Sequence, residues 1–413
     1  MLVLLVAIAL CLAGAAHAAT VSLPQTGQTT SYAAGDDGAL QKGVAWPNPR
    51  FTVNSDQTVN DNLTGLVWTK DAGTPTVGSC AGGKMTWQAA LDYVSCLNTA
   101  NYLGYNDWRM PNVNELESLV NAEQATPATW LFLQVFANVQ SNAYWSSTSY
   151  ASNTSYAWFV SMVDGNVSGS GLVKSRTYYV WPVRAGQSGA FGNSFIWFTG
   201  QTATYTVGDD GTLQKGMVWP NPRFTDNGNQ TVTDNLTGLV WTRHAGTPTV
   251  GSCVGGAMTW QAAFSYVACL NTANYLGYNN WRLPNRKELF SLVDHGMYNP
   301  SLPSGHPFSY VQTDDYWSST SLANNTSYAW VVYSYDGYVN YSFKTGSLYV
   351  WPVRTWSAPC TYTLNPTSKG FTSTGGSDSV GVTATTGCAW TATSNNTDWI
   401  TITSGSAGSG NGI

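Results

Sequence analysis

Apolar positions along this chain follow two different periods, and each pattern occurs twice. In MTWQAALDYVSCLN (85–98), Trp87, Leu91, Val94 and Leu97 recur at three- and four-residue spacing behind Thr86, which predicts an N-capped amphipathic helix. WRMPNVNELESLV (108–120) opens a second helix, with Asn112 and Glu115 at capping-box spacing, and WRLPNRKELFSLV (281–293) repeats it with Asn285 and Glu288. Past these helices the pattern changes to alternation. YWSSTS (144–149) leads into YAWFVSMVDGNVSGS (156–170), and YAWVVYSYDGYVNYS (328–342) is its counterpart; Asp164-Gly165 and Asp336-Gly337 predict the hairpin turns. TVNDNLTGLVWT (58–69) reads as a strand or hairpin ahead of the helices, and YYVWPVR (178–184) or LYVWPVR (348–354) as a closing strand. Strand, two helices, then antiparallel strands make an α+β unit.

The duplication is explicit in the residues. WPNPRFT (46–52, 219–225), DNLTGLVWT (61–69, 234–242) and NTANYLGYN (98–106, 271–279) recur at an offset of 173, and VWPVR (180–184, 350–354) at 170. That period is far longer than the roughly 20 to 50 residues of a solenoid repeat, so the expectation is two tandem globular domains, 24–184 and 200–354, with 185–199 as a linker. Ahead of them, residues 2–16 are almost continuously apolar and end at Ala16-His17-Ala18, the pattern of a signal peptide spanning 1–18. No other apolar run reaches membrane-spanning length.

Composition sharpens the compartment and excludes one class of partner. Only 9% of the 413 residues are charged and the net charge is −5, which leaves no basic footprint for nucleic acid. Aromatic residues make up 13% of the chain, with 19 Trp and 23 Tyr, so it is not a disordered composition. Six cysteines follow the cleavage pattern, and Cys80/Cys96 and Cys253/Cys269 share a spacing of 16 in matching contexts. The simplest pairing is Cys80–Cys96, Cys253–Cys269 and Cys360–Cys388. No CxxC pair supports a zinc site, and the four histidines are scattered.

The run TGLVWT, TWQAAL, W-R-[LM]-P-N-x-x-E-L, YWSSTS, YAW and the terminal V-R resembles the Lcl C-terminal domain family, end to end in both units. The R-L-P-x-x-x-E-L and W-S-S elements are also similar to the formylglycine-generating-enzyme-like branch of C-type lectin folds. The resemblance implies C-type-lectin-like domains with two helices beside a twisted antiparallel sheet. It also implies a surface or secreted protein, the type member being an adhesin that binds sulfated glycans. Residues 360–413 resemble a BACON domain through C-x-Y-x-L-x-P, C-A-W-T-A and W-I-T-I, which implies a truncated immunoglobulin-like β-sandwich.

Candidate chemistry is sparse. Asp36-Asp37-Gly38 and Asp209-Asp210-Gly211 read as turns rather than catalytic carboxylates, and no histidine occupies a repeated position, so no enzyme activity is expected. Asp226-Asn227-Gly228-Asn229 and its partner Val53-Asn54-Ser55-Asp56 read as hairpin turns; calcium is the one cofactor they leave open. Tryptophans at 46, 68, 87, 108, 145 and 181, with counterparts in the second unit, read as core. The units diverge at one hairpin: Tyr333, Tyr335, Tyr338 and Tyr341 replace Ser161, Val163, Asn166 and Gly169. With Asp336, and with Asp164 and Asn166 of the first unit, these tyrosines form the candidate ligand site. Tyrosines there suit adaptable recognition or sugar stacking, or alternatively a cross-strand ladder that only stabilises the sheet. The expectation is a secreted or cell-surface, non-enzymatic protein of adhesion or glycan binding, with tandem copies favouring avidity. Its partner would be an extracellular glycan or a surface protein, and the acidic balance favours neutral over sulfated glycans. The alternative is a structural or protein-binding module of an extracellular assembly; oligomeric state is not specified.

Overall fold

The computed structural model describes residues 21–185 and 196–355 and, in the tail, 362–367, 369–371, 374–384, 389–394, 399–409 and 411–412. The expected export segment, most of the 185–199 join, and Cys360 and Cys388 lie outside the described residues. Residues 18–355 make one compact unit and the tail from Trp356 belongs to another.

The first copy opens with an arm, residues 21–44. Its single turn α1 (Asp37–Leu40) is capped by Asp36, whose carboxylate also accepts from the backbone N–H of Tyr32 and Ala33. Strands β1 (Phe51–Val53), β2 (Thr58–Asp61) and β3 (Leu66–Thr69) follow as an antiparallel meander. Helix α2 (Trp87–Thr99) starts at its Thr86 cap and buries Trp87, Ala90, Leu91, Val94 and Leu97. Helix α3 (Val113–Glu117) carries the Asn112/Glu115 capping box but lasts only five residues. A further helix, α4 (Pro127–Gln134), was not legible in the periodicity; a proline in its first turn starts it. Strands β4 (Ala143–Ser149), β5 (Ala157–Ser161) and β6 (Val167–Ser168) form the second sheet, and β7 (Val183–Ala185) returns to pair with β3.

The second copy repeats this course. Its arm, 196–217, carries α5 (Asp210–Leu213), and β8 (Phe224–Asp226), β9 (Thr231–Asp234) and β10 (Leu239–Thr242) follow. Then come α6 (Trp260–Thr272), α7 (Arg286–Phe290), β11 (Asp315–Ser321), β12 (Tyr328–Tyr333), β13 (Val339–Phe343) and β14 (Val353–Thr355). One difference stands out: residues 294–308 form an irregular loop where the first copy has α4.

The two copies share one sheet. Its strand order is β11-β12-β13-β6-β5-β4, and the copies meet at the antiparallel pair Val339–Val167. These valines hold the same position in the repeat, so the pairing is self-complementary, as across a two-fold axis. The hairpins turn at Gly165 (φ 86°) and Gly337 (φ 89°), as their Asp-Gly pairs predict. A central apolar cluster runs through both copies, from Val113, Leu116 and Trp158 to Phe290, Val293 and Trp330. Each copy also has its own satellite core under α2 or α6. Trp68, Trp145 and Trp181 and their counterparts Trp241, Trp317 and Trp351 are fully buried, whereas Trp46 and Trp219 are only half-buried. Cys80–Cys96 and Cys253–Cys269 are disulfides that tie a loop onto α2 and α6. No helix among the described residues is long and apolar enough to cross a membrane. In the tail, β15 (Tyr362–Asn365) pairs with β16 (Gly381–Ala384), and β17 (Ala389–Thr391) with β18 (Ala407–Ser409).

Candidate functional site

The arms change places. Gln28 of the first arm accepts from the backbone N–H of Ser321 (2.9 Å) and donates to its carbonyl (2.8 Å), in the second copy. Gln201 of the second arm holds Ser149 in the same way, at 2.9 and 2.7 Å. Asp37 accepts from Thr320 (2.7 Å) and from its own arm's Thr26, and Asp210 accepts from Thr148 (2.7 Å) and Thr199. Burial pushes the Asp37 carboxyl up to about 6 and that of Asp210 up to about 7, with the hydroxyl donors opposing. Asn285 donates to Lys42 O and Asn112 to Lys215 O, both at 3.1 Å. The Asp-Asp-Gly turns therefore do two jobs: the first carboxylate caps the turn and the second docks the arm on the opposite copy.

Above each docked arm sits a lysine. Lys174 Nζ donates to Ser149 Oγ (2.6 Å) from 3.8 Å over the Trp87 ring, and Lys344 repeats this with Ser321 (2.7 Å) and Trp260. Burial lowers both amines to about 8. The serines are wholly buried beneath the lysines, so these pairs lock the arm and present no open nucleophile.

At the centre of the joint the symmetry breaks. Lys287 Nζ lies 2.8 Å from Glu117 Oε2, and Arg286 Nη2 lies 3.5 Å from Glu117 Oε1 while donating to Gly165 O at 2.7 Å. Arg286 also stacks 4.0 Å above Trp330. All three ions are buried; burial lowers the pKa of both cations, and Glu117 acts against it. The matching positions hold Phe290, Val113 and Asn114. His295, whose counterpart is Ala122, is also buried, edge-on to Trp158 at 4.6 Å, and neither ring nitrogen has a hydrogen-bond partner. Burial alone drives its pKa down to about 3.

The hairpin residues singled out from the sequence divide into two groups. Asp336 is 5% exposed; its Oδ2 accepts from Tyr150 Oη of the first copy at 2.8 Å and its Oδ1 from Tyr338 N–H at 3.0 Å. Tyr341 reaches back to Asp164 (3.5 Å) and packs edge-on to Trp330 and Tyr328. Asp164 in turn accepts from the backbone and side-chain N–H groups of Asn166. Asp164, Asn166, Asp336, Tyr338 and Tyr341 thus lie along the joint. Tyr333 and Tyr335 are half-buried and stack on each other instead, at 5.9 Å and 27°.

Tyr298, missed in the sequence, extends that pair toward solvent, 6.3 Å from Tyr335 and 49% exposed. It sits in the loop that replaces α4, and that loop is pinned to the hairpin by Asn299 N–H to Tyr335 O (2.6 Å) and Ser301 N–H to Ser334 O (2.8 Å). Ser334 N–H donates to Asp314 O, and Ser334 Oγ to Gln312 O. Gln312 also holds the carbonyl of Tyr310, which is 69% exposed and stacked on His244 at 4.3 Å. Tyr310 has φ 56°, left-handed backbone that suits the Asn138 found there in the first copy and is unfavourable for tyrosine. Burial raises the pKa of Tyr333, and the nearby carboxylates of Asp336, Asp315 and Asp314 add to it. The available signal was the α4-to-loop divergence, which carries no periodicity. The Asn227 and Asn54 loops are hairpin turns, their side chains bonded to Thr231 and Thr58. Among the described residues no group of three or more His, Cys, Asp or Glu side chains could hold a metal ion.

A model of the Lcl C-terminal domain matches residues 57–184 and again 230–354, together more than half of the chain. The chain belongs to the Lcl C-terminal domain family. No curated protein matches it. Both arms of this Lcl protein precede the matched stretches. The signature residues of its Lcl domains are structural. In W-R-[LM]-P-N-x-x-E-L, the arginine clamps the glutamate through two bonds (Arg109–Glu115 at 2.5 and 2.6 Å, Arg282–Glu288 at 2.6 Å each), and the asparagine both caps the helix and holds an arm. YWSSTS is the strip on which the opposite arm docks.

Proposed function

We propose that this Lcl protein is an exported, non-enzymatic binding protein, secreted or held at the cell surface, that recognises glycans in adhesion. The observation that carries this reading is the tyrosine cluster of the second copy, half-buried Tyr333 and Tyr335 with exposed Tyr298, to which exposed Tyr310 is linked through Gln312 and Ser334. Ring faces on a rigid, backbone-pinned scaffold suit stacking of sugar rings at low entropic cost. The first copy has Ser161 and Val163 at the matching positions, so each chain offers one such cluster, and avidity would come from several chains rather than from the tandem copies. The carboxylates of Asp314, Asp315 and Asp336 near Tyr333 disfavour sulfated ligands. Two disulfides suit an oxidising, extracellular setting. The same reading includes a C-type-lectin-like fold for the two copies and a BACON-like sandwich for the tail. The test is a glycan array with the full chain, with calcium and with chelator, against Tyr298→Ala/Tyr335→Ala. Binding of neutral glycans that survives chelation and is lost in the variant supports the reading. Binding retained in the variant, or absent throughout, refutes it.

A further inference from the structure

Most of what joins the two copies is indifferent to which copy it joins. Gln28 and Gln201, Asp37 and Asp210, Asn112 and Asn285, Thr148 and Thr320, and Val167 and Val339 are identical residues at matching positions, and each set works in both directions across the joint. On these contacts alone a first copy would pair with another first copy, on a neighbouring chain, as readily as with its own partner. Two such pairings per chain would link chains without end.

The residues that break the symmetry are buried at the centre of the same joint. The first copy contributes Glu117 and the second Arg286 and Lys287; the half-buried Asp164 near Arg286 is matched by Asp336 and is not part of the difference. We propose that this buried charge set makes the joint selective, so that the first copy accepts only a second copy and each chain closes on itself. Two first copies would bury two Glu117 carboxylates against Val113 and Asn114, with no cation. Two second copies would bury four cations against Phe290, without Glu117 and with only Asp336, the counterpart of Asp164, as a nearby anion. An unpaired buried ion is far more costly than a paired one, so both like pairings are disfavoured while the unlike pairing is complete.

Two experiments test this. In the full chain, a charge-swap cycle compares Glu117→Lys, Lys287→Glu and the double variant by urea unfolding. Each single variant is expected to lower the folding equilibrium constant at least a hundredfold, and the double variant to recover at least tenfold over either. In the second, a protease site is placed within 186–195 and the folded protein is cut, unfolded and refolded, with the halves alone or mixed. Native mass spectrometry is expected to show a 1:1 pair from the mixture, at least a hundredfold over either homodimer. No recovery in the double variant, or homodimers as abundant as the 1:1 pair, overturns the proposal; if the halves fail to refold, the charge cycle decides alone.

Discussion

Replacing His295 by leucine should change how the stability of the two-copy unit depends on acid. In the folded chain the ring is sealed against Trp158 and Phe290, with no partner at either nitrogen, and its pKa is driven down to about 3. An unfolded chain titrates histidine near 6.5. The folded pKa lies below the unfolded one, so the stability tied to the neutral ring is full above pH 6.5 and is lost as pH falls from 6.5 toward 3. The loss approaches about 1.4 kcal/mol per pH unit across that window, which is about 2 kcal/mol by pH 5. Other groups act in the opposite sense. Asp37 and Asp210 have folded values raised to about 6 and about 7, so the stability they contribute at low pH is lost as pH rises from about 4 through those values. Only the difference between wild type and His295→Leu isolates the imidazole. Urea unfolding followed by tryptophan fluorescence at pH 8 and at pH 5 should show that difference moving by about 2 kcal/mol in the variant's favour on acidification. A difference constant to within about 0.5 kcal/mol would mean that the ring is hydrated or paired in solution, and the reasoning from its burial would fail.

Three further outcomes follow from the same contacts. Gln201→Ala removes both bonds to Ser149 and leaves a buried N–H and C=O unpaired, so it should cost about 2–4 kcal/mol in urea unfolding, and Gln28→Ala should match it because the sites are equivalent. Reducing Cys80–Cys96 and Cys253–Cys269, each separated by 16 residues, should remove roughly 3 kcal/mol per bridge, seen as a lower melting temperature in dithiothreitol. Transplanting the first copy's hydrogen-bonded pair with Tyr310→Asn/His244→Asp should relieve about 1 kcal/mol of left-handed strain and raise the melting temperature, while weakening glycan binding if Tyr310 belongs to the tyrosine cluster.

Local features were legible in the sequence where local physics decides them. Thr86, Asn112 and Asn285 cap the helices their spacing predicts, Asp-Gly pairs turn the hairpins, and cysteines at equal spacing are bridged. The arm exchange was not legible. Asp37 meets Thr320 and Gln28 meets Ser321 across 283 and 293 residues, and nothing in a Thr-Gly-Gln or Asp-Asp-Gly segment distinguishes docking on its own copy from docking on the other. Boundaries drawn in chain order, 24–184 and 200–354, place each arm with the copy it precedes. In space each arm bridges both: Thr26 O accepts from Ala122 N–H of its own copy, while Gln28 holds Ser321 of the other. The candidate hairpin was legible as a site of divergence but not as a geometry, because Tyr335 and Tyr338 sit in its turn, where alternation assigns no face, and the contacts with Tyr298 and with the other copy decide where the rings go.

That division decides where function is to be sought in this protein. Residues shared by the two copies are committed to the fold: Arg109 and Arg282 to their glutamates, the YWSSTS strands to the arms, and Trp87 and Trp260 to their lysines. What differs between the copies falls into two classes. Buried differences, Glu117 against Phe290 or Arg286 against Val113, act on the choice of partner copy, because an ion removed from water is felt only by what packs on it. The other differences lie nearer the surface: Tyr298 and Tyr310 are exposed, Tyr333 and Tyr335 half-buried, and Tyr310 holds an unfavourable backbone conformation. Tyr310 keeps this strain at the surface with a stack on His244 as its ring contact, so under the proposed function it is the ring on which an outside ligand is to be sought.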